Sequence, residues 1–120
     1  FPTLQKRLRQ KAGQLSGGER QMLAIAMGWL VRPKLMLLDE PSAGLSPLFV
    51  TETFRTLKDL CGQGITMAVV EQNARSILRY CDYAYVLREG AVAFQGSAAQ
   101  ILADEETVKS YLGVGKVKSQ

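Results

Sequence analysis

The sequence contains no histidine. That removes imidazole as a general base and excludes every metal centre that needs an imidazole ligand. Cysteine is scarce as well. Cys61 and Cys81 lack metal-ligand spacing and read as buried, reduced thiols of a cytosolic protein. No apolar run reaches the roughly 18 residues that a membrane span requires. The nearest candidate, "LVRPKLMLL", is broken by Arg32, Pro33 and Lys34, and no signal peptide is visible. Aromatic residues are few and form no stripe. Trp29 reads as helix packing, and Tyr80, Tyr83, Tyr85 and Tyr111 are spread over different elements. The four methionines, Met22, Met27, Met36 and Met67, read as core filler.

What is present is ordinary globular composition, 47% apolar and 22% charged, in 120 residues. That length suffices for one compact domain and is short for two. The chain begins at Phe1 rather than methionine, which reads as a fragment or a processed product. Its net charge of +4 comes partly from "KRLRQK" (Lys6 to Lys11) and partly from Lys116 and Lys118. No aromatic residues interleave with the first cluster, so it reads as a solvated face or a partner interface rather than a nucleic-acid surface.

Periodicity orders the chain. A short helix is expected after Pro2, then a loop through "KAGQLSGG". From Ser16 onward Met22, Leu23, Ala26, Met27, Leu30 and Val31 recur at helical spacing until Pro33. "KLMLLDE" and "ITMAVV" are short continuous apolar runs, the pattern of strands buried on both faces in a parallel sheet. Between them "SPLFVTETFRTLKDLCGQG" predicts a helix with Ser46 as N-cap, Pro47 in its first turn and Gly62 and Gly64 at its exit. Asn73 is expected to cap "ARSILRYC", and "YAYVL" and "AVAFQ" flank "REG" as a hairpin. Ser97 and Gln100 offer a capping box for "AAQIL", and "EETVKSYLG" predicts a last helix ending at Gly113. Alternating helices and strands imply α/β layers on a mostly parallel sheet. Two parallel strands are few for a free-standing sheet, so the core reads as incomplete.

Two stretches carry chemistry. In "LSGGE" the structural reading is a capping box between Ser16 and Glu19. It leaves two adjacent glycines unexplained, each costing about 1 kcal/mol against alanine within a helix. They make sense where something approaches the backbone closely, and a helix start with bare amides and a serine hydroxyl is an anion site. In "LMLLDEPSAGL" a buried strand delivers Asp39 and Glu40 at its carboxyl end, where open α/β sheets place ligands. Asp39 suits a role holding Mg²⁺ through water, and Glu40 suits orienting or deprotonating a water. An acidic strand end that merely caps the next turn remains the structural alternative.

Taken in order, "LSGGER", a helix and "LMLLDEP" resemble the ATP-binding cassette (ABC) family. Leu15, Ser16, Gly17, Gly18 and Glu19 match its signature motif, Leu35 to Asp39 its Walker B strand, and Glu40 its catalytic glutamate. The resemblance implies the C-terminal half of a RecA-like P-loop NTPase core, α/β with mostly parallel strands, a C-terminal β-hairpin and the signature helix of the helical subdomain. On that scheme 1–33 closes the helical subdomain. Residues 34–96 carry Walker B, the D-loop and the switch region with the hairpin, and 97–120 supply C-terminal helices and tail. It also implies an ATP sandwich between two nucleotide-binding subunits. Leu15 to Glu19 would then face the terminal phosphate of ATP held by the partner, and Ser42, Ala43, Gly44, Leu45 and Ser46 would lie at the subunit interface.

Two positions depart from the family pattern. Ser46 replaces the aspartate that usually ends the D-loop, and Gln72 replaces the switch histidine. Glutamine can donate a hydrogen bond to a γ-phosphate but cannot take its proton. A polar loop before the Asn73 cap is the structural alternative for Gln72. "EPSAGLSP" followed by "VEQNA" resembles the ATP-binding subunits of branched-chain amino-acid importers, with urea and amide importers similar. That subgroup implies ATP and Mg²⁺, a second nucleotide-binding subunit, integral membrane permeases and, indirectly, a periplasmic binding protein. It implies a peripheral place on the cytoplasmic face of the inner membrane and no nucleic-acid partner. The alternatives are a non-transport ABC ATPase acting on nucleic acid or ribosomes, and an inactive signature-bearing interaction module.

The sequence contains no phosphate loop of the form G-x-x-x-x-G-K-[ST]. Its single Gly-Lys pair, Gly115-Lys116, has Ser110 in place of the first glycine and Val117 after the lysine. The isolated chain is therefore expected to hydrolyse no ATP and, with apolar sheet edges bare, to self-associate.

Overall fold

Two short apolar strands, paired in parallel, organise the first part of the molecule. The computed structural model describes residues 1–103, so the helix expected over "EETVKSYLG" and the basic tail lie outside the described residues. The chain packs as two units, Phe1–Gln72 and Asn73 onward.

In the first unit, α1 (Pro2–Gln5) has Pro2 in its opening turn, and a 3₁₀ turn (Ala12–Gln14) follows. Then α2 (Gly17–Leu30) ends at Val31, and Arg32 adopts a positive φ of 51° before Pro33. Next come β1 (Leu35–Asp39), α3 (Pro47–Gly62) and β2 (Thr66–Val70). Ser46 stands at the α3 N-cap position, though its side chain makes no capping bond, and Gly64 has the positive φ (94°) needed to leave the helix. Strands β1 and β2 pair in parallel from Leu35 opposite Thr66 to Asp39 opposite Val70.

Burial on both strand faces is not observed. Met36 is buried, but Leu37 is 75%, Val70 61% and Leu35 53% exposed. The cause is the two-residue period of a strand, which sends Leu35, Leu37 and Asp39 to one face and Met36 and Leu38 to the other. Helix α2 meets the covered face where Gly28 leaves room for the Met36 side chain, whose Cε lies 3.1 Å from the place a Cβ would take. The sheet is thus one-sided among the described residues, and an apolar run alone does not reveal which face has cover.

The second unit starts with α4 (Ala74–Ile77), capped by Asn73, whose Oδ1 accepts from the Ser76 amide at 3.4 Å. The helix is shorter than "ARSILRYC" because the chain turns after Ile77, with the Tyr80 amide donating to Ile77 O at 2.8 Å. Strands β3 (Tyr83–Arg88) and β4 (Ala91–Ser97) form the expected antiparallel hairpin. Its two-residue turn, Glu89 and Gly90, has both φ values positive (51° and 80°), the hairpin geometry that suits the strand twist. The Ser97–Gln100 capping box forms in both directions, at 3.1 and 3.2 Å, and opens α5 (Ala98–Ala103). Leu78, Ala98 and Ile101 make a small core with Ala74, Cys81, Ala84 and Phe94 packed on it. Cys61 and Cys81 are not joined in a disulfide, and both are half-buried rather than fully buried.

Candidate functional site

The first cluster of interest is the start of α2. Ser16 sits in extended backbone, and its Oγ accepts from the Glu19 amide at 3.3 Å while its own amide donates to Glu19 Oε2 at 2.8 Å. The capping box read from "LSGGE" is therefore present. Glu19 is further tied by Arg7, whose Nε donates to Oε1 at 2.9 Å. The Ser16 amide, then the Ser16 hydroxyl and Arg7, hold the Glu19 carboxyl below its ordinary 4.5. These bonds occupy the Glu19 carboxylate, and Arg20 is likewise occupied, its Nη1 donating to Leu15 O at 2.5 Å. Leu15 is buried beneath the turn.

The two glycines of this turn differ in cause. At Gly17 nothing lies within 4 Å of where a Cβ would stand, and as the first residue of the helix its amide has no intrahelical partner. At Gly18 a Cβ would fall 2.4 Å from the Phe49 ring of α3. The close approach inferred from the glycine pair is real at Gly18, but the approaching group is the protein's own phenyl ring. Of the two glycines, only Gly17 has open space where a side chain would begin. With an exposed Ser16 beside it, whose hydroxyl proton can turn outward, it fits a phosphate oxygen in size and charge.

The second cluster is the carboxyl end of the parallel pair. Asp39, the last residue of β1, lies opposite Val70, the last of β2. Glu40 follows with a φ of 43°, a left-handed conformation uncommon for a non-glycine residue, and its amide donates to Val70 O at 2.8 Å. The backbone then turns twice, the Ala43 amide donating to Glu40 O at 3.0 Å and the Leu45 amide to Ser42 O at 3.2 Å. Gly44, at φ 70°, makes the second turn possible. Ser46 ends the segment at the head of α3. At the β2 exit, Glu71 and then the exposed Gln72 emerge at this same end of the sheet.

Asp39 and Glu40 are both exposed. Among the described residues no group of three or more Cys, Asp or Glu side chains is placed to hold a metal ion. A single exposed carboxylate at a strand end fits Mg²⁺, which keeps several waters and takes only one or two protein carboxylates when phosphates complete its shell. No described helix is long and apolar enough to cross a membrane.

Sequence reasoning missed three residues here. Glu71 accepts from the Ser42 amide across 29 residues at 2.9 Å, Phe49 covers Gly18, and Arg7 secures Glu19. Glu71 had a usable signal, since an acid directly after the second apolar strand must emerge beside Asp39 if the strands are parallel. Phe49 and Arg7 had none, because their contacts depend on how α2, α3 and the basic stretch pack.

A family model described as ABC transporter matches residues 2–43. The high-affinity branched-chain amino acid transport ATP-binding protein BraG of Pseudomonas aeruginosa is 43% identical over 113 residues, 94% of this chain and 48% of that protein. The probable branched-chain amino acid transport ATP-binding protein LivF of Archaeoglobus fulgidus is 44% identical over 115 residues, 95% of this chain and 49% of the relative. The lipopolysaccharide export system ATP-binding protein LptB of Escherichia coli strain K12 is 38% identical, over 88% of this chain and 44% of its own. Among solved structures, the ADP conformation of MJ1267, an ATP-binding cassette of an ABC transporter, superposes with a TM-score of 0.74. It is 31% identical and covers 87% of this chain and 42% of its own. The chain spans about half the length of the curated relatives it matches.

Proposed function

From the premise that this chain is part of the ATP-binding domain of an ABC transporter, the family to which it belongs, we propose that the protein carrying it energises import of branched-chain amino acids. The similarity to BraG and LivF supports the substrate, and the sheet end, where Asp39, Glu40 and the Glu71-Gln72 exit emerge from two hydrogen-bonded strands, supports the ATPase part. Bound ATP supplies a γ-phosphoryl group whose transfer to water releases the free energy that moves the transporter.

On this reading Asp39 holds the hydrated Mg²⁺ through water. Glu40 orients the attacking water and accepts its proton, and the strand-end hydrogen bond from its amide fixes where that carboxylate starts. Gln72 donates an amide hydrogen bond to the γ-phosphate. With no imidazole at that place it does no proton transfer. Ser16 and the bare amide of Gly17 face the ATP of a second copy, whereas Glu19 and Gly18 serve that surface indirectly, by shaping the turn. Segment Ser42–Ser46 lies at the interface with that copy. Membrane permeases are the partners that convert closure into transport, which places the subunit on the cytoplasmic face of the membrane, and a substrate-binding protein delivers the amino acid to them.

The test is uptake of labelled leucine by cells whose gene for the full-length protein is disrupted. The wild-type gene restores uptake and a Glu40→Gln gene does not. A specific observation favours one second reading, the similarity to LptB. Unchanged leucine uptake together with loss of lipopolysaccharide from the outer membrane would establish that reading instead.

A further inference from the structure

We infer that Glu71 is a positioning residue that locks the Ser42–Ser46 segment to the β2 exit, so that Glu40 and Gln72 are held in one register. The inference rests on the ATPase reading above for its functional part, and on one contact for its structural part. Ser42 is only 8% exposed, and its amide would be an orphaned donor in the turn. Glu71 Oε1 accepts that amide at 2.9 Å, the sole partner the described structure gives it. A carboxylate accepting a backbone N–H is a charge-assisted bond, stronger than its neutral counterpart.

Its place in the sequence gives the bond its consequence. On one side it holds the turn that begins at Glu40, whose left-handed conformation needs support from its surroundings. That turn has one other tie to β2, the Glu40 amide to Val70 O at 2.8 Å. On the other side Glu71 is the residue before Gln72, so a shift of Gln72 toward a phosphate pulls on the carboxylate that carries Ser42. The geometry therefore couples the residue that meets the γ-phosphate to the segment assigned to the subunit interface. No step of the chemistry passes through Glu71.

The test uses the full-length protein with two substitutions and two readouts. Glu71→Gln keeps an acceptor oxygen at the same reach. Glu71→Met keeps the length and removes the acceptor. Amide hydrogen exchange, which needs no activity, is expected to be about tenfold faster at Ser42 in the Met variant and nearly unchanged in the Gln variant. ATP turnover is expected to fall about tenfold in kcat for Met, with KM within about twofold, and by no more than about threefold for Gln. Glu71→Asp, which keeps the charge and draws the oxygen back by one methylene, replaces the Met variant if that one does not fold.

Unchanged exchange at Ser42 in the Met variant would overturn the structural link. Faster exchange with unchanged kcat would overturn the positioning role while leaving the ATPase reading intact. Absence of any turnover that depends on Glu40 in the wild type would overturn that reading, and the coupling with it.

Discussion

At the residue scale, Gly17 and Gly18 look alike in sequence and differ in what an added methyl would meet. Gly17→Ala enters open space and gains helix propensity, so stability is expected to stay level or rise by less than about 1 kcal/mol. Gly18→Ala drives a Cβ into the Phe49 ring and is expected to cost about 1–3 kcal/mol through overpacking. In a Phe49→Ala background that cost should vanish, and urea titration of the four combinations measures the coupling. Additive costs would mean that the ring is not what excludes a side chain at 18. The sequence announced that a glycine pair at a helix start needs a reason. It gave no way to see that one of the two reasons was a phenyl ring from α3.

At the element scale, helix α2 shows how a local signal and a distant contact combine. Its cap was legible because Ser16 and Glu19 carry it within three residues, and both bonds are present. Arg7 adds a third partner from outside the motif. Because these contacts lower the folded-state pKa of Glu19, their stabilisation is fully present above its ordinary 4.5 and is lost as pH falls through the lowered value. The melting temperature of wild type should therefore exceed that of Glu19→Gln by a constant margin above about pH 5, and the margin should close in more acid solution. A margin independent of pH would mean that the carboxylate charge does not support the helix start. The strands teach the complementary lesson. "KLMLLDE" and "ITMAVV" gave strand identity and parallel pairing correctly, because both runs are apolar, short and separated by a helix. They overstated burial, since a residue's hydropathy does not say whether its face of the sheet has a neighbour.

At the scale of the whole molecule, the bare sheet face has a direct consequence. Leu35, Leu37 and Val70 present apolar surface on adjoining strands, with no covering helix among the described residues. Residues 1–120 alone are expected to self-associate, and Leu37→Lys to weaken that association in sedimentation. A clean monomer with a sharp, cooperative melt would contradict this. Most of the candidate site was legible because its parts lie at element ends marked by short motifs, "LSGGE", "DEPSAG" and "EQN". The ties between those parts, Phe49 on Gly18 and Glu71 on Ser42, were not, because they join positions far apart in the chain.

The central claim is that Glu40, at the end of β1, activates the water that attacks ATP. Its most direct test is ATP turnover by the full-length protein, wild type against Glu40→Gln, with ATP binding measured in parallel. The account predicts a loss of at least about a hundredfold in kcat with binding retained. Turnover within about twofold of wild type would contradict it.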